Sequence, residues 1–459
     1  MDKYTYHDIR NLTSELINKE LWIQGRLHKI RTKAKMIFML VRYQDVMLQC
    51  IANKQHISDS VYNVIINTPV ESIINIYGKL NKTPFPVESA TYKDLEFTVD
   101  NIHIESASNV LPFQLDDAND YGESFRADVG RQLRLDNRWL DLRTQFNNSL
   151  FKMQSGIVNL FRSYLLLESF VEIHTPKLIG TASESGASIF SLTYFEQIAY
   201  LAQSPQLYKQ MAINADFDRV FEIAPVFRAE PSLTNRHLCE YISLDLEMAI
   251  SPNKSYHEIL ELMWDLLKYI FNGLETIYSK EIATIKSKLP YNNLVYPDKP
   301  LIIDFKEGVK LLTEAGFIQG EFEDLSTKNE KELGRLIKEK FGSDLFILDK
   351  YPLAARPFYT MPYPTVNGPY SCSYDVIMRG QEISSGSQRI NDYVLLLEKV
   401  KSSGNNPESM KQYIQSFSHG SKRHGGCAFG LERILMLYLN IDSIKSTSFC
   451  PRDPERLFP

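Results

Sequence analysis

Between residues 21 and 104, apolar and polar side chains alternate in short runs. Leu21-Trp22-Ile23-Gln24-Gly25-Arg26-Leu27 carries apolar residues at alternate positions, the period of a strand with one buried face. Met36-Ile37-Phe38-Met39-Leu40-Val41-Arg42 and Val46-Met47-Leu48-Gln49-Cys50-Ile51 are rich in strand formers, and Ser72–Gly78 and Leu95–Val99 follow. Past residue 145 the period changes. Leu150, Met153, Ile157, Leu160, Phe161, Tyr164 and Leu165 recur at helical spacing and predict a long amphipathic helix. Phe170-Val171-Glu172-Ile173-His174 and then Pro176 come directly after it. A second helix is predicted near 255–272 and further strands near 345–390. Between the two regimes, Pro112, Asp116, Asp117, Asn119, Asp120 and Gly122 mark a turn-rich stretch.

These patterns predict an α+β chain in three parts. Residues 1–105 form a five-stranded β-barrel such as an OB-fold. Residues 106–140 serve as a hinge or linker. Residues 141–459 form a larger domain, whose strands, adjacent in sequence, predict an antiparallel sheet flanked by helices. Composition narrows the class. No run of about 18 apolar residues is present to span a membrane. The opening Met1-Asp2-Lys3-Tyr4-Thr5-Tyr6 lacks the apolar core of a secretory signal. The expectation is a cytoplasmic protein with no membrane partner. Cys50, Cys239, Cys372, Cys427 and Cys450 are scattered without a C-x-x-C pair, which favours buried thiols over disulfides or zinc. A net charge of −5 excludes a polycation that coats nucleic acid. RNA contact would need a local patch, such as Arg26, His28, Lys29, Arg31, Lys33 and Lys35.

Four constellations could carry chemistry. Phe227-Arg228-Ala229-Glu230 is followed by Arg236-His237 and by Tyr241-Ile242-Ser243-Leu244-Asp245-Leu246-Glu247-Met248. In a strand, Tyr241, Ser243, Asp245 and Glu247 share one face and Ile242, Leu244, Leu246 and Met248 the other. A guanidinium at 228 could clamp a phosphate; alone, these charges read equally well as surface ion pairs. Gly425-Gly426-Cys427-Ala428-Phe429-Gly430-Leu431-Glu432-Arg433 is small enough for close backbone approach, and Arg433 could stack on a purine opposite Tyr241. It could also be a packing turn. Asp375, Glu382 and Ser385 offer oxygen ligands for Mg²⁺, and Arg389 a grip on a carboxylate, unless they are solvated loop charges. Thr181–Ser188 is a polar loop carrying Glu184, which could bind an ammonium. Gln203-Ser204-Pro205-Gln206-Leu207-Tyr208-Lys209 carries Lys209, which could bind a carboxylate, though both segments could be loop and cap residues.

Together, and in this order, the segments resemble the class II aminoacyl-tRNA synthetases and, within them, the aspartyl enzymes. Phe227–Glu230 with Arg236-His237 and Leu244–Met248 is similar to the second signature motif, and Gly430–Arg433 to the third. The helix ending before Pro176 is similar to the first, which implies a homodimer. Pro451–Pro459 is similar to the family's ending. The resemblance implies ATP binding by Arg228, Glu230, Arg236, His237, Leu238, Tyr241, Glu382, Gly430 and Arg433. It implies aspartate binding by Glu184, Gln206, Lys209, Arg228, Asp245, Ser385 and Arg389, and Mg²⁺ at Asp375, Glu382 and Ser385. Arg228, Arg433 and Glu382 would be the catalytic groups. In the barrel, Arg31, Phe38 and Gln49 match positions that contact the anticodon of tRNA(Asp), although the match needs a one-residue gap and Phe38 could instead belong to the core.

Two cations at the side-chain end, Lys209 and Arg389, suit an acid better than the amide of an asparaginyl sibling. A silent RNA-binding relative would not need Arg228, Glu382 and Arg433. An amino-acid ligase independent of tRNA would not need the barrel. Only 124 residues separate Ile250 from Asp375, too few for the insertion of bacterial aspartyl enzymes, so the chain resembles the archaeal and eukaryotic type.

Overall fold

In a computed structural model, residues 6–119, 129–181, 189–289, 291–364 and 369–458 are described. The chain divides into two compact units, Met1–Asn148 and Ser149–Pro459.

Alternation builds the first unit. Strands β1 (Glu20–Lys33), β2 (Met36–Tyr43), β3 (Val46–Asn53), β4 (Ile73–Lys82) and β5 (Leu95–Ser106) close into a barrel in the order β1-β2-β3-β5-β4. Ile23, Leu27, Ile37, Met39, Leu48, Cys50, Ile76 and Phe97 fill its interior. Closure removes the unpaired edges that a sheet of this size would otherwise expose. The turn-rich stretch after β5 holds short helices, Leu115–Ala118, Arg131–Asp136 and Arg138–Asp141, which fall in the same unit as the barrel. Its main electrostatic tie is Glu71. That carboxylate accepts from Arg42 Nη2 at 2.9 and 2.8 Å and from Arg143 Nη1 at 3.0 Å, with His28 Nδ1 3.7 Å away.

In the second unit the predicted helix is Gln145–Leu167, on which the boundary between the units falls. Leu150, Met153, Ile157, Leu160, Phe161 and Leu165 are buried along one stripe, and Phe161 meets Phe221 and Phe429 edge-on. The strands are β6 (Val171–Glu172), β7 (Leu178–Ile179), β8 (Ser191–Tyr194), β9 (Gln197–Leu201), β10 (Arg219–Phe227), β11 (Glu240–Ala249), β12 (Ile302–Asp304), β13 (Leu345–Asp349), β14 (Ser373–Met378), β15 (Gln381–Gln388) and β16 (His424–Gly430). Eight of them form one sheet in the order β12-β13-β14-β15-β16-β11-β10-β6, and β7-β9-β8 form a small second sheet. The expected antiparallel pairing holds from β13 to β10. Both edges depart from it, since β12 runs parallel to β13 and β6 parallel to β10. Helices Phe305–Glu314 and Thr327–Phe341 lie between β12 and β13, and helix Gln206–Asn214 lies between β6 and β10. Parallel neighbours need such long crossovers, whereas the central strands can turn back directly.

Burial alone would raise the Glu71 carboxyl, but His28, Arg42 and Arg143 outweigh it and hold it down at about 2. Its contribution is therefore fully present above the usual carboxylate range and is lost as pH falls toward about 2. Replacing it strands Arg42, so Glu71→Ala should cost roughly 3–5 kcal/mol. Urea unfolding of the intact chain measures this; a loss below about 1 kcal/mol would reduce Glu71 to a surface-type pair.

Candidate active site

The face alternation of β11 decides what the sheet presents. Leu244, Leu246 and Met248 share one face and are buried, while Tyr241, Ser243, Asp245 and Glu247 take the other, where Ser243, Asp245 and Glu247 are buried as well. Next to them, β16 is made of small residues, with Gly426 directly opposite Glu247. A Cβ at Gly426 would stand 2.1 Å from the Leu246 carbonyl oxygen and 2.6 Å from Glu247 Oε2. Glycine there is what lets the Glu247 carboxylate lie across the neighbouring strand.

Lys209 and Arg389 meet on that carboxylate. Lys209 Nζ lies 2.9 Å from Asp245 Oδ1 and 3.7 Å from Glu247 Oε2. Arg389 donates from Nε and Nη2 to Glu247 Oε1 and Oε2 at 2.9 and 3.1 Å, from Nη1 to Ser387 Oγ at 2.7 Å, and from Nη2 to the Gly426 carbonyl at 3.0 Å. All four charged side chains are at most 4% exposed. Such burial is tolerable only because two cations and two carboxylates balance. Burial would raise the Glu247 carboxyl, but Arg389 and Lys209 outweigh it and lower it. Gln206 sits one turn before Lys209 on the same helix and is also buried.

Ser243 links this cluster to a cleft. Its Oγ bonds Asp245 Oδ2, and Ser243 also lines a cavity of about 270 Å³. All nine expected ATP-binding residues line that cavity: Arg228, Glu230, Arg236, His237, Leu238, Tyr241, Glu382, Gly430 and Arg433. The Arg228 guanidinium stands 5.8 Å from the Tyr241 ring centroid. Arg433, in the first turn of helix Leu431–Tyr438, donates to the Glu382 carbonyl at 2.9 Å and the Arg236 carbonyl at 3.3 Å. Burial, with Arg433 next, lowers the His237 imidazole and favours its neutral form. A cleft walled by arginines, a tyrosine and small backbone suits a planar base carrying phosphates.

Asp375 and Ser385 face each other across β14 and β15, and Ser385 and Glu382 line the cavity. Burial, with the negative Asp375 beside it, pushes the Glu382 carboxyl up to about 7. Arg356 holds the other two, donating Nη2 to Asp375 Oδ2 at 2.8 Å and Nη1 to Ser385 Oγ at 3.0 Å.

Three partners carry no assignment from the motifs. Glu247 was visible as a member of the polar face of β11. Nothing near Arg356 marks it, and Glu330, which bonds Arg236 Nη2 at 2.8 Å and the Glu382 amide, sits on a helix of ordinary amphipathic pattern. Glu184 lies outside the described residues.

On the barrel, Arg31 and Phe38 are cross-strand partners, with the guanidinium 5.0 Å from the ring centroid. Ile37 and Met39 fill the core at 1% exposure, so half-buried Phe38 points outward. Gln49, on β3, bonds Glu96 Oε2 at 3.4 Å.

Comparison with known proteins gives the family. Residues 130–454 match the family tRNA synthetases class II (D, K and N), and residues 21–105 match the OB-fold nucleic acid binding domain. The cytoplasmic aspartate–tRNA ligase of Homo sapiens is 46% identical over 98% of this chain and 91% of its own length. An aspartyl tRNA synthetase structure from Entamoeba histolytica superimposes with a TM-score of 0.89 at 39% identity, covering 99% of this chain and 93% of that one. The asparaginyl-tRNA synthetase of Pyrococcus horikoshii, complexed with asparaginyl-adenylate, has a TM-score of 0.86 at 26% identity and covers all of both chains. The chain belongs to the class II tRNA synthetases and, within them, to the aspartate–tRNA ligases.

Proposed function

We propose that this chain activates L-aspartate with ATP and transfers it to the 3′ end of tRNA(Asp). The observation that carries this reading is the meeting of Lys209 and Arg389 on Glu247, joined through Asp245 and Ser243 to the wall of the nucleotide cleft. A substrate carboxylate entering there would share both cations. A neutral amide would draw the two cations away from Asp245 and Glu247 and return only a dipole, a mismatch that supports large selectivity.

In this reading the aspartate α-carboxylate attacks the ATP α-phosphate in line and pyrophosphate leaves. Positioning by Gln206, Asp245, Lys209 and Arg389, with Glu184 and Ser385, makes that encounter local. Arg228 faces the charge that gathers on the α-phosphate. Tyr241 and Arg433 flank adenine, Glu230 reads its amino group, and Arg236 with His237 holds the outer phosphates. A terminal tRNA hydroxyl then attacks the carbonyl of the aspartyl-adenylate, loses its proton, forms the ester and releases AMP.

Class II ligases use ATP with a divalent metal, and Mg²⁺ is proposed here. Asp375, Glu382 and Ser385 offer hard oxygen ligands, and a cation would relieve the crowding that raises Glu382. Among the described residues no three or more His, Cys, Asp or Glu side chains gather into a metal site. The ion would therefore complete its shell on nucleotide oxygens and neutralise them.

Homodimerisation is proposed through the helix that ends before Pro176. Leu166, Leu167, Val171 and Leu178 there are 45–73% exposed, and β6 is an edge of the large sheet. A self-complementary apolar patch suits a two-fold interface. Residues 1–105 would read the anticodon, with Arg31, Phe38 and Gln49 outward, and 106–140 would link them to the catalytic domain, 141–459. A cytoplasmic location is proposed from relatives so named; no described helix is long and apolar enough to cross a membrane.

Aspartate should drive ATP–pyrophosphate exchange and asparagine should not; the reverse would reassign the substrate. Arg389→Leu should lower aspartate-dependent exchange by roughly 10³-fold or more, and exchange at the wild-type rate would remove Arg389 from the pocket. Phe38→Ala should weaken tRNA charging by about tenfold or more while exchange is unchanged, as expected for one lost base stack. Equal loss in both assays would make Phe38 structural. Because Glu382 titrates at about 7, a proton competes with Mg²⁺ below that pH and not above it. The Mg²⁺ concentration that half-saturates exchange should therefore rise as pH falls through about 7, and a requirement flat between about pH 6 and 8 would take Glu382 out of the ion's shell.

A further inference from the structure

Behind Gln206 lies a buried chain of hydrogen bonds that the proposed chemistry does not use. Gln206 Nε2 donates to Gln210 Oε1 at 3.2 Å. Tyr413 donates its hydroxyl to the same oxygen at 3.0 Å. Gln210 Nε2 is 3.1 Å from His424 Nε2, and His424 Nδ1 is 2.7 Å from the Lys422 carbonyl. Gln206, Gln210 and His424 are at most 4% exposed and Tyr413 is 3% exposed.

Donor and acceptor rules fix the polarity of this chain. A carbonyl oxygen only accepts, so His424 Nδ1 carries a proton. Burial favours the neutral ring, and Arg389 opposes its charging, although Glu247 favours it. In the neutral ring Nε2 is then an acceptor, and Gln210 must turn its NH₂ toward it. Gln210 Oε1 therefore faces Gln206, which must answer with its own NH₂. What remains of the Gln206 amide is its oxygen, the atom that can receive a positive group.

We propose that His424 is a positioning residue for amino-acid recognition: through Gln210 it sets the amide of Gln206 so that an oxygen, not an NH₂, meets the substrate ammonium. The inference rests on the reading of Gln206 as an ammonium-binding residue. With His424 unable to accept, only the Tyr413 hydroxyl, which can donate or accept, is left to orient Gln210, and Gln206 can present either end. A reversed amide would set an N–H dipole against the ammonium. The two carboxylates of the substrate would be held as before.

Succinate shares both carboxylates with aspartate and lacks the ammonium, so it isolates this contact. In His424→Phe the KM for aspartate in pyrophosphate exchange should rise about tenfold, the scale of one charge-assisted hydrogen bond. The kcat, the KM for ATP and the inhibition constant of succinate should stay near wild type. His424→Gln, whose side-chain oxygen can accept from Gln210, should restore aspartate binding. Tyr413→Phe, which removes the other bond to Gln210 with little change in volume, should shift aspartate in the same direction by less, and it serves as the test should His424→Phe not fold. Equal weakening of aspartate and succinate, or a His424→Gln enzyme as poor as His424→Phe, would overturn the proposal. Gln206→Ala separates the two ideas. If it leaves discrimination between aspartate and succinate intact, the ammonium role of Gln206 fails; if it abolishes discrimination while His424→Phe does not, only the role of His424 fails.

Discussion

The Glu247 carboxylate is the point on which the pocket depends. It is wholly buried, and it binds Arg389 through both oxygens while lying within reach of Lys209. Two cations held this close would repel each other at considerable cost in a low-dielectric interior. The shared anion makes their approach stable before any ligand enters. The backbone is built around that anion, because a side chain at 426 would collide with it and with the strand that carries it. The small residues of β16 thus serve the electrostatics of β11 as well as the approach of a ligand.

The cleft proposed for the nucleotide follows the same principle with a different balance. Arg236 is held by Glu330, Arg433 by the Glu382 and Arg236 carbonyls, and Arg356 by Asp375 and Ser385. Guanidinium groups anchored in this way need little reorganisation when phosphate charge arrives, which is what makes an electrostatic site effective. The carboxylates, in contrast, are crowded. Glu382 stands near Asp375 and Glu330 and is raised to about 7 by burial and by them. Anchored guanidinium groups and crowded carboxylates thus stand side by side, an arrangement that suits phosphates together with a cation.

Much of this was legible in the sequence because it is local. The alternation of β11 separates Asp245 and Glu247 from Leu244 and Leu246, and the structure keeps that division. The stripe from Leu150 to Leu165 and the five barrel strands follow from period alone. The same period sends Phe38 outward, since Ile37 and Met39 take the core. What was not legible is long-range. Glu330 reaches Arg236 across 94 positions, and Arg356 reaches Asp375 and Ser385 from a segment with no pattern of its own. The parallel edge strands β6 and β12 are two and three residues long, too short to show a direction in sequence.

The likeness to an asparaginyl enzyme shows where specificity must lie. A TM-score of 0.86 at 26% identity leaves the backbone path largely common to the two. Aspartate and asparagine differ by one oxygen against one NH₂, and therefore by a charge. A shared fold can separate them only through charge placed where solvent cannot screen it. Lys209 and Arg389, at 0% and 4% exposure, are the charge proposed for that role here. Their two carboxylate partners hold the resting cluster neutral, so on the proposed reading an acid would bind by rearranging contacts already present. An amide offers only a dipole in the same place, and the cost of partly uncovering two buried cations falls on the wrong substrate alone.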